Sequence, residues 1–203
     1  MVDSIKETLL IFIRNAEKGR VKTRLARTVG DDKALAVYKI LLKITKSAVD
    51  PLEVNRQVWY DRYIANGDIW SGGTYGKKLQ RGEDLGARMK SAFRHAFATG
   101  FEKAVIIGSD CPGLTHSLLR QAFRLLDECE VVIGPSRDGG YYLLGMTTYR
   151  PVLFDRKKWS TSAVCRQTIH QLEEREISYR LLPVLNDIDT EQDLNQSRHL
   201  SLL

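Results

Sequence analysis

Short, unbroken apolar runs alternate in this sequence with stretches of helical period, and that alternation most narrows the folds open to it. Thr8–Ile13 reads TLLIFI, apolar from Leu9 onward, so it is a strand covered on both faces. Ala104–Ile107 has the same character and runs into Gly108–Ser109–Asp110. Val54–Tyr60, Val131–Ile133, Tyr141–Met146 and Tyr179–Leu182 read as further strands. Between them the period changes. Leu35, Tyr38, Leu41, Leu42 and Thr45 recur at three and four residues, which predicts a helix from Asp31, with Asp31 or Asp32 as its cap. Leu85, Met89, Ala92, Phe93 and Ala96 stripe a helix over Asp84–Ala98. Thr115–Leu126 (Thr115 as cap), Ser162–Glu174 and Glu191–His199 complete the helical set. Asn66–Gly76, with three internal glycines, is a loop or lid. Strand and helix in this order predict an α/β layered fold around a mostly parallel sheet.

No linker, repeat or low-complexity tract divides the 203 residues, so one domain over 1–203 is expected. Hydrophobic residues make up 43%, enough for a real core. No apolar run approaches the roughly 18 residues of a membrane span. Met1–Thr8 mixes acids with Lys6 and does not read as a secretory signal. Cys111, Cys129 and Cys165 are an odd count without CxxC spacing. That argues against a disulfide framework or structural zinc and for a reducing cytoplasm. The net charge of +6 leaves three anionic partners open: nucleic acid, a membrane surface or a small polyanion such as a nucleotide.

In a parallel sheet, ligands gather where strands end and loops converge beside the carboxyl edge. After Ile13, the segment Arg14–Arg27 (RNAEKGRVKTRLAR) carries Arg14, Lys18, Arg20, Lys22, Arg24 and Arg27 around Gly19. A cation-rich loop at that place suits phosphate oxygens, because arginine forks and lysine point charges both bind them. It is neither a Walker A loop nor a GxGxxG fingerprint. After Ile107, Ser109 and Asp110 precede Cys111–Pro112–Gly113, and Asp110 is either a turn residue or a ligand for Mg²⁺. Asp187 and Asp189, spaced i, i+2, offer a second carboxylate, unless Asp189 or Thr190 merely caps the last helix. Arg137, Asp138, Gly139 and Gly140 form a glycine turn between two strands, open to backbone contact with a ligand or simply a hairpin. Gly82–Arg88 begins a helix where an anion can sit, although capping by Asp84 is the simpler reading. Cys111 has no nearby histidine but His116 and is a poor nucleophile candidate. Trp59, Trp70 and Trp159 read as packing residues, with Trp70, in the glycine-rich loop, the one to watch for a base platform.

Six segments in order carry a resemblance that extends over the whole chain: Val21–Leu25 (VKTRL), Glu83–Met89 (EDLGARM), Ile107–Leu114 (IGSDCPGL), Gly134–Gly145 (GPSRDGGYYLLG), Trp159–Thr161 (WST) and Asp187–Leu194 (DIDTEQDL). Together they resemble an uncharacterised bacterial family of GT-A-like transferases, some members of which are labelled radical-SAM/selenodomain-associated. That family is similar to 2-phospholactate and molybdenum-cofactor guanylyltransferases, to sugar-acid cytidylyltransferases and to GT-A glycosyltransferases. The resemblance implies a nucleotide-binding α/β/α sandwich with a divalent metal, Mg²⁺ or Mn²⁺. It implies metal ligation by Asp110 and Asp189, triphosphate binding by Lys22 and Arg24, and a nucleotide-side role for the Asp138–Gly139 turn. Where the family usually has Lys-x-Pro after the first strand, this chain has Arg14–Asn15–Ala16: the charge is kept and the rigid proline lost.

The leading expectation is Mg²⁺-dependent transfer of NMP from an NTP to a small phosphorylated or hydroxylated acceptor. Lys22, Arg24 and Asp110 would be catalytic, with Arg14, Gly19, Arg88, Ser109, Asp138 and Gly139 also contacting the nucleotide. The rivals are a glycosyltransferase using a nucleotide sugar and a non-catalytic nucleotide binder. Nucleic acid is disfavoured because the densest cations share one loop rather than a face.

Overall fold

The structure is a computed structural model and describes residues 6–197. Seven strands share one sheet: β1 (Glu7–Ile13), β2 (Asn55–Tyr60), β3 (Gly76–Leu79), β4 (Lys103–Ile107), β5 (Val131–Pro135), β6 (Tyr141–Met146) and β7 (Tyr179–Leu181). Their order is β3-β2-β1-β4-β6-β5-β7. Every adjacent pair is parallel except those of β6, which runs antiparallel to both β4 and β5. The six parallel strands therefore end at one edge, and Tyr141 starts β6 at that same edge.

The helices are α1 (Thr23–Val29), α2 (Asp31–Val49), α3 (Leu85–Ala98), α4 (His116–Leu125), α5 (Val164–Glu173) and α6 (Glu191–Gln196). Alternation along β1 shows why they lie on both sides. Leu9, Ile11 and Ile13 pack with Tyr38 and Leu42 of α2 and Leu119 and Phe123 of α4. Leu10 and Phe12 pack on the other face with Met89 and Phe93 of α3 and Cys165 and Leu172 of α5. A strand this apolar is stable only between two helical layers, and the result is a three-layer α/β/α sandwich. A third, smaller cluster joins Leu25 of α1, Val37 and Leu41 of α2, Ile188 and Leu194.

Four expectations need correction. The basic segment after β1 is not all loop, since Thr23–Val29 is a helix; only Leu25 of it is buried, so it shows no apolar period. Asp31 and Asp32 do not cap α2: Gly30, at φ 82°, is the cap residue and the two acids occupy the first turn. Gly76 ends no loop but opens β3, a polar edge strand (GKKL) without the alternation that would mark it. Helix α5 starts at Val164 rather than Ser162. The closing helix ends at Gln196; His199 and residues 1–5 of the amino-terminal segment lie outside the described residues.

Candidate active site

A crevice of about 550 Å³ opens along the carboxyl edge of the sheet. Strands β1 to β6 contribute to its wall through residues at or just past that edge, among them Arg14, Asp61, Gln80, Asp110, Asp138 and Tyr141, and the loop between β7 and α6 adds Asp187 and Asp189. It lies where the strand order turns back, between β1 and β4, the place such sheets use for ligands.

The centre is an ion cluster built from three loops. Lys22 Nζ lies 2.6 Å from Asp110 Oδ1 and 3.3 Å from Asp189 Oδ1, and Arg24 Nη2 lies 3.4 Å from Asp189 Oδ2. The Lys22 side chain is only 4% exposed, whereas those of Asp110 and Asp189 are 46% and 31% exposed towards the crevice. Burial pushes the Lys22 pKa down, but Asp110 and Asp189 outweigh it and hold it above the usual lysine value. The lysine is therefore protonated at neutral pH. Asp187 sits beside this cluster, its carboxylate accepting from the Cys111 thiol. Burial raises the Asp187 pKa to about 6, opposed by the Cys111 hydrogen bond and reinforced by Asp110. The same burial and the nearby Asp187 push the Cys111 thiol well up, so it is no nucleophile.

Local bonds fix the loops. Ile188 N–H donates to the Asp110 carbonyl at 3.1 Å, tying the two acid-bearing segments together. Thr190, not Asp189, caps α6 in a capping box with Asp193, which leaves the Asp189 carboxylate to the crevice. Tyr38 was legible only as a core position of its helix, yet its hydroxyl accepts from Arg14 N–H at 2.8 Å, donates to Arg14 O and contacts Ser109 Oγ. It joins the ends of β1 and β4. Asn15, in the Arg14–Asn15–Ala16 segment, is buried; it donates to Tyr63 O and accepts from the N–H groups of Arg62 and Tyr63. Side-chain hydrogen bonds thus hold this loop where a proline ring would otherwise stiffen it.

Of the expected site residues, Arg14, Lys22, Arg24, Arg88, Ser109, Asp110, Asp138 and Asp189 all line the crevice. Gly19 and Gly139 do not. Gly19 faces Asp31, and Gly139 packs against Ser162, where an added Cβ would meet the carbonyl oxygen at 2.1 Å. The Asp138 carboxylate accepts from Ser136 Oγ and from Gly140 N–H, which stiffens its own turn. The six-cation segment is also dispersed. Lys18 pairs with Asp32 and Arg20 with Glu17, and neither lines the crevice, nor does Arg27. Arg14, Lys22, Arg24 and Arg88 face seven acids there: Asp61, Glu83, Asp84, Asp110, Asp138, Asp187 and Asp189. The cation-rich segment therefore does not make the crevice cationic: the acids outnumber the cations.

Among the tryptophans, Trp70 is buried against Tyr75 and is a core residue, whereas Trp159 lines the crevice. Its indole lies over Gly86, where a Cβ would come within 2.0 Å. The Glu83–Met89 and Trp159–Thr161 motifs thus owe part of their pattern to this single contact.

The acids suit a hard divalent cation. Asp110 and Asp189 are oxygen donors from separate loops that already converge on one positive charge, and Mg²⁺ or Mn²⁺ is held through one or two carboxylates plus substrate oxygens. Among the described residues no group of three or more His, Cys, Asp or Glu side chains forms a cage by itself, so the remaining ligands would come from substrate and water.

The family model described as "Uncharacterized protein conserved in bacteria (DUF2064)" matches residues 45–161. No curated protein matches the sequence significantly. A solved structure described as a candidate nucleotide-diphospho-sugar transferase, from Desulfovibrio desulfuricans G20, is 32% identical, with a TM-score of 0.87 over 95% of this chain and 86% of its own. The inositol-1-phosphate CTP transferase from T. maritima shares the fold at 15% identity, with a TM-score of 0.57 over 98% of this chain and 94% of its own. A manganese complex of Rv0371C from Mycobacterium tuberculosis H37Rv shares it at 15% identity, with a TM-score of 0.55 over 98% and 100%.

Proposed function

This chain belongs to the DUF2064 family, and from that membership and the crevice we propose a divalent-metal-dependent nucleotidyltransferase that moves NMP from an NTP to a small phosphorylated or hydroxylated acceptor. The enzyme is a transferase, in keeping with the candidate nucleotide-diphospho-sugar transferase at 32% identity. Residues 1–203 form one such domain, and the six ordered motifs favour the radical-SAM/selenodomain-associated type.

The observation that carries the reading is the charge of the crevice. A triphosphate entering among seven acids and four cations is repelled unless a further cation comes with it. Asp110 and Asp189 would hold that metal, Mg²⁺ or Mn²⁺, which supplies charge neutralisation for the phosphates and leaving group. Lys22, Arg24, Arg14 and Arg88, the four cations that line the crevice, bind phosphate oxygens. The acceptor oxygen forms a bond to the α-phosphorus as the bond to the β-phosphate bridge breaks, releasing pyrophosphate. No histidine lines the crevice among the described residues. A phosphorylated acceptor suits that wall, because its attacking oxygen is already anionic and no proton has to be removed. Alignment and charge stabilisation then supply the rate.

The test is pyrophosphate release with each NTP, Mg²⁺ or Mn²⁺ and a panel of acceptors. Asp110→Ala lowers the rate on the order of 10²–10³; absence of release in every pairing, with no change on Asp110→Ala, removes the reading. The base remains for the same panel, since the Asp138 turn resembles guanylyltransferases while the solved neighbours include a CTP-named enzyme. The rival with a specific observation behind it is glycosyl transfer from a nucleotide sugar, favoured by the name of the D. desulfuricans protein. Selective thermal stabilisation by UDP- or GDP-sugars over NTPs would favour that rival.

A further inference from the structure

Three of the four oxygens on the proposed metal-binding pair already face cations. Asp110 Oδ1 and Asp189 Oδ1 hold the Lys22 ammonium, and Asp189 Oδ2 faces Arg24. Among the described residues, the closest cation contact of Asp110 runs through Oδ1, which leaves Oδ2 the less engaged of its two oxygens. One carboxylate oxygen is too little to hold Mg²⁺ or Mn²⁺ unless substrate oxygens join it. The ammonium is also not a surface accident, since its side chain is 4% exposed and lies beneath two carboxylates that open to the crevice.

We propose that Lys22 is a latch: its ammonium closes Asp110 and Asp189 to a divalent cation until a polyphosphate draws it away, so that metal enters with the nucleotide and not before. The exchange is chemically balanced. A polyphosphate brings anionic oxygens that accept from Lys22 and Arg24, and the oxygens these release become ligands. Lysine suits the task because its charge sits on a long stem that can swing without moving α1. Metal and polyphosphate then bind with positive coupling, each raising the affinity for the other. The same device keeps a crevice rich in acids from filling with metal when no nucleotide is present. The proposal rests on the transferase reading for the identity of the polyphosphate, and on the ion cluster alone for the competition between ammonium and metal.

The test titrates Mn²⁺ against nucleotide-free protein, following the paramagnetic signal of the free ion. Wild type binds weakly, and Lys22→Met binds about tenfold tighter or more, because the competent state is no longer held closed. Adding Asp110→Asn to Lys22→Met abolishes the gain. Arg14→Met removes an equal charge from the same crevice and changes Mn²⁺ affinity far less. Wild-type crystals soaked in Mn²⁺ alone show no anomalous peak between Asp110 and Asp189. Soaked in Mn²⁺ with tripolyphosphate they show one, and the Lys22 side chain is turned out. Equal Mn²⁺ affinity in wild type and Lys22→Met, or a Mn²⁺ peak beside an unmoved Lys22, overturns the latch. The crystal arm decides if Lys22→Met fails to fold. Neither readout needs turnover. A protein that behaves as stated here but releases pyrophosphate from no NTP keeps the latch and loses the transferase reading; the reverse pattern keeps the reading and loses the latch.

Discussion

Gly86 and Trp159 show how tightly single residues shape the crevice. An alanine at 86 would set its Cβ 2.0 Å from the indole, inside van der Waals contact, and neither the α3 backbone nor a ring stacked on Phe154 can yield cheaply. Gly86→Ala should cost about 1–3 kcal/mol and push Trp159 from the crevice wall. Thermal melts with and without nucleotide would register both a lower Tm and a smaller ligand-induced rise. Lys157 makes a second prediction at this scale. Burial lowers its pKa to about 8, partly opposed by Cys165, while its ammonium donates to Leu153 O and Thr168 Oγ1. Between pH 10.5 and 8 the unfolded chain takes up this proton and the folded chain does not. Stability from this group is therefore present above pH 10.5 and lost as the pH falls through 8. Denaturant unfolding across that range should show the wild type losing stability relative to Lys157→Met as the pH falls, and parallel curves would refute the assignment.

At the scale of elements, α1 is too short to be stable alone and depends on its one buried side chain. Leu25 packs with Val37 and Leu41 of α2 and with Ile188 and Leu194, so one small core holds the Lys22–Arg24 segment and the Asp187–Asp189 loop together. Leu25→Ala should cost about 2–5 kcal/mol and loosen both halves of the ion cluster at once. Hydrogen exchange should accelerate in Thr23–Val29 and in Asp187–Asp189 before it does in β1. The elements that the sequence hid are the ones with least apolar signal. Neither α1, with a single core residue, nor β3, with lysines at its centre, carries a period to read. The long strands and α2, α3 and α4 were legible because burial on one stripe or on both faces leaves a spacing that composition cannot mimic.

Across the whole molecule, β1 is paired on both edges and covered on both faces, whereas β3 and β7 end the sheet. Amides of Leu9–Ile13 and Val105–Ile107 should exchange slowest, and those of β3 and β7 fastest; protected edges with an open centre would contradict the layering. No helix among the described residues is long and apolar enough to cross a membrane. The linear sequence determined the layered α/β architecture and the edge at which chemistry gathers, since both follow from local periodicity and from where strands stop. It also showed which segments carry cations and carboxylates. Only the tertiary structure decided which charges meet. Lys18 and Arg20 turned to nearby acids, while Lys22 found Asp110 and Asp189, which lie 88 and 167 positions further along the chain. The reason is physical: a period reports the environment of one element, but an ion cluster is set by distances between loops that share no local pattern.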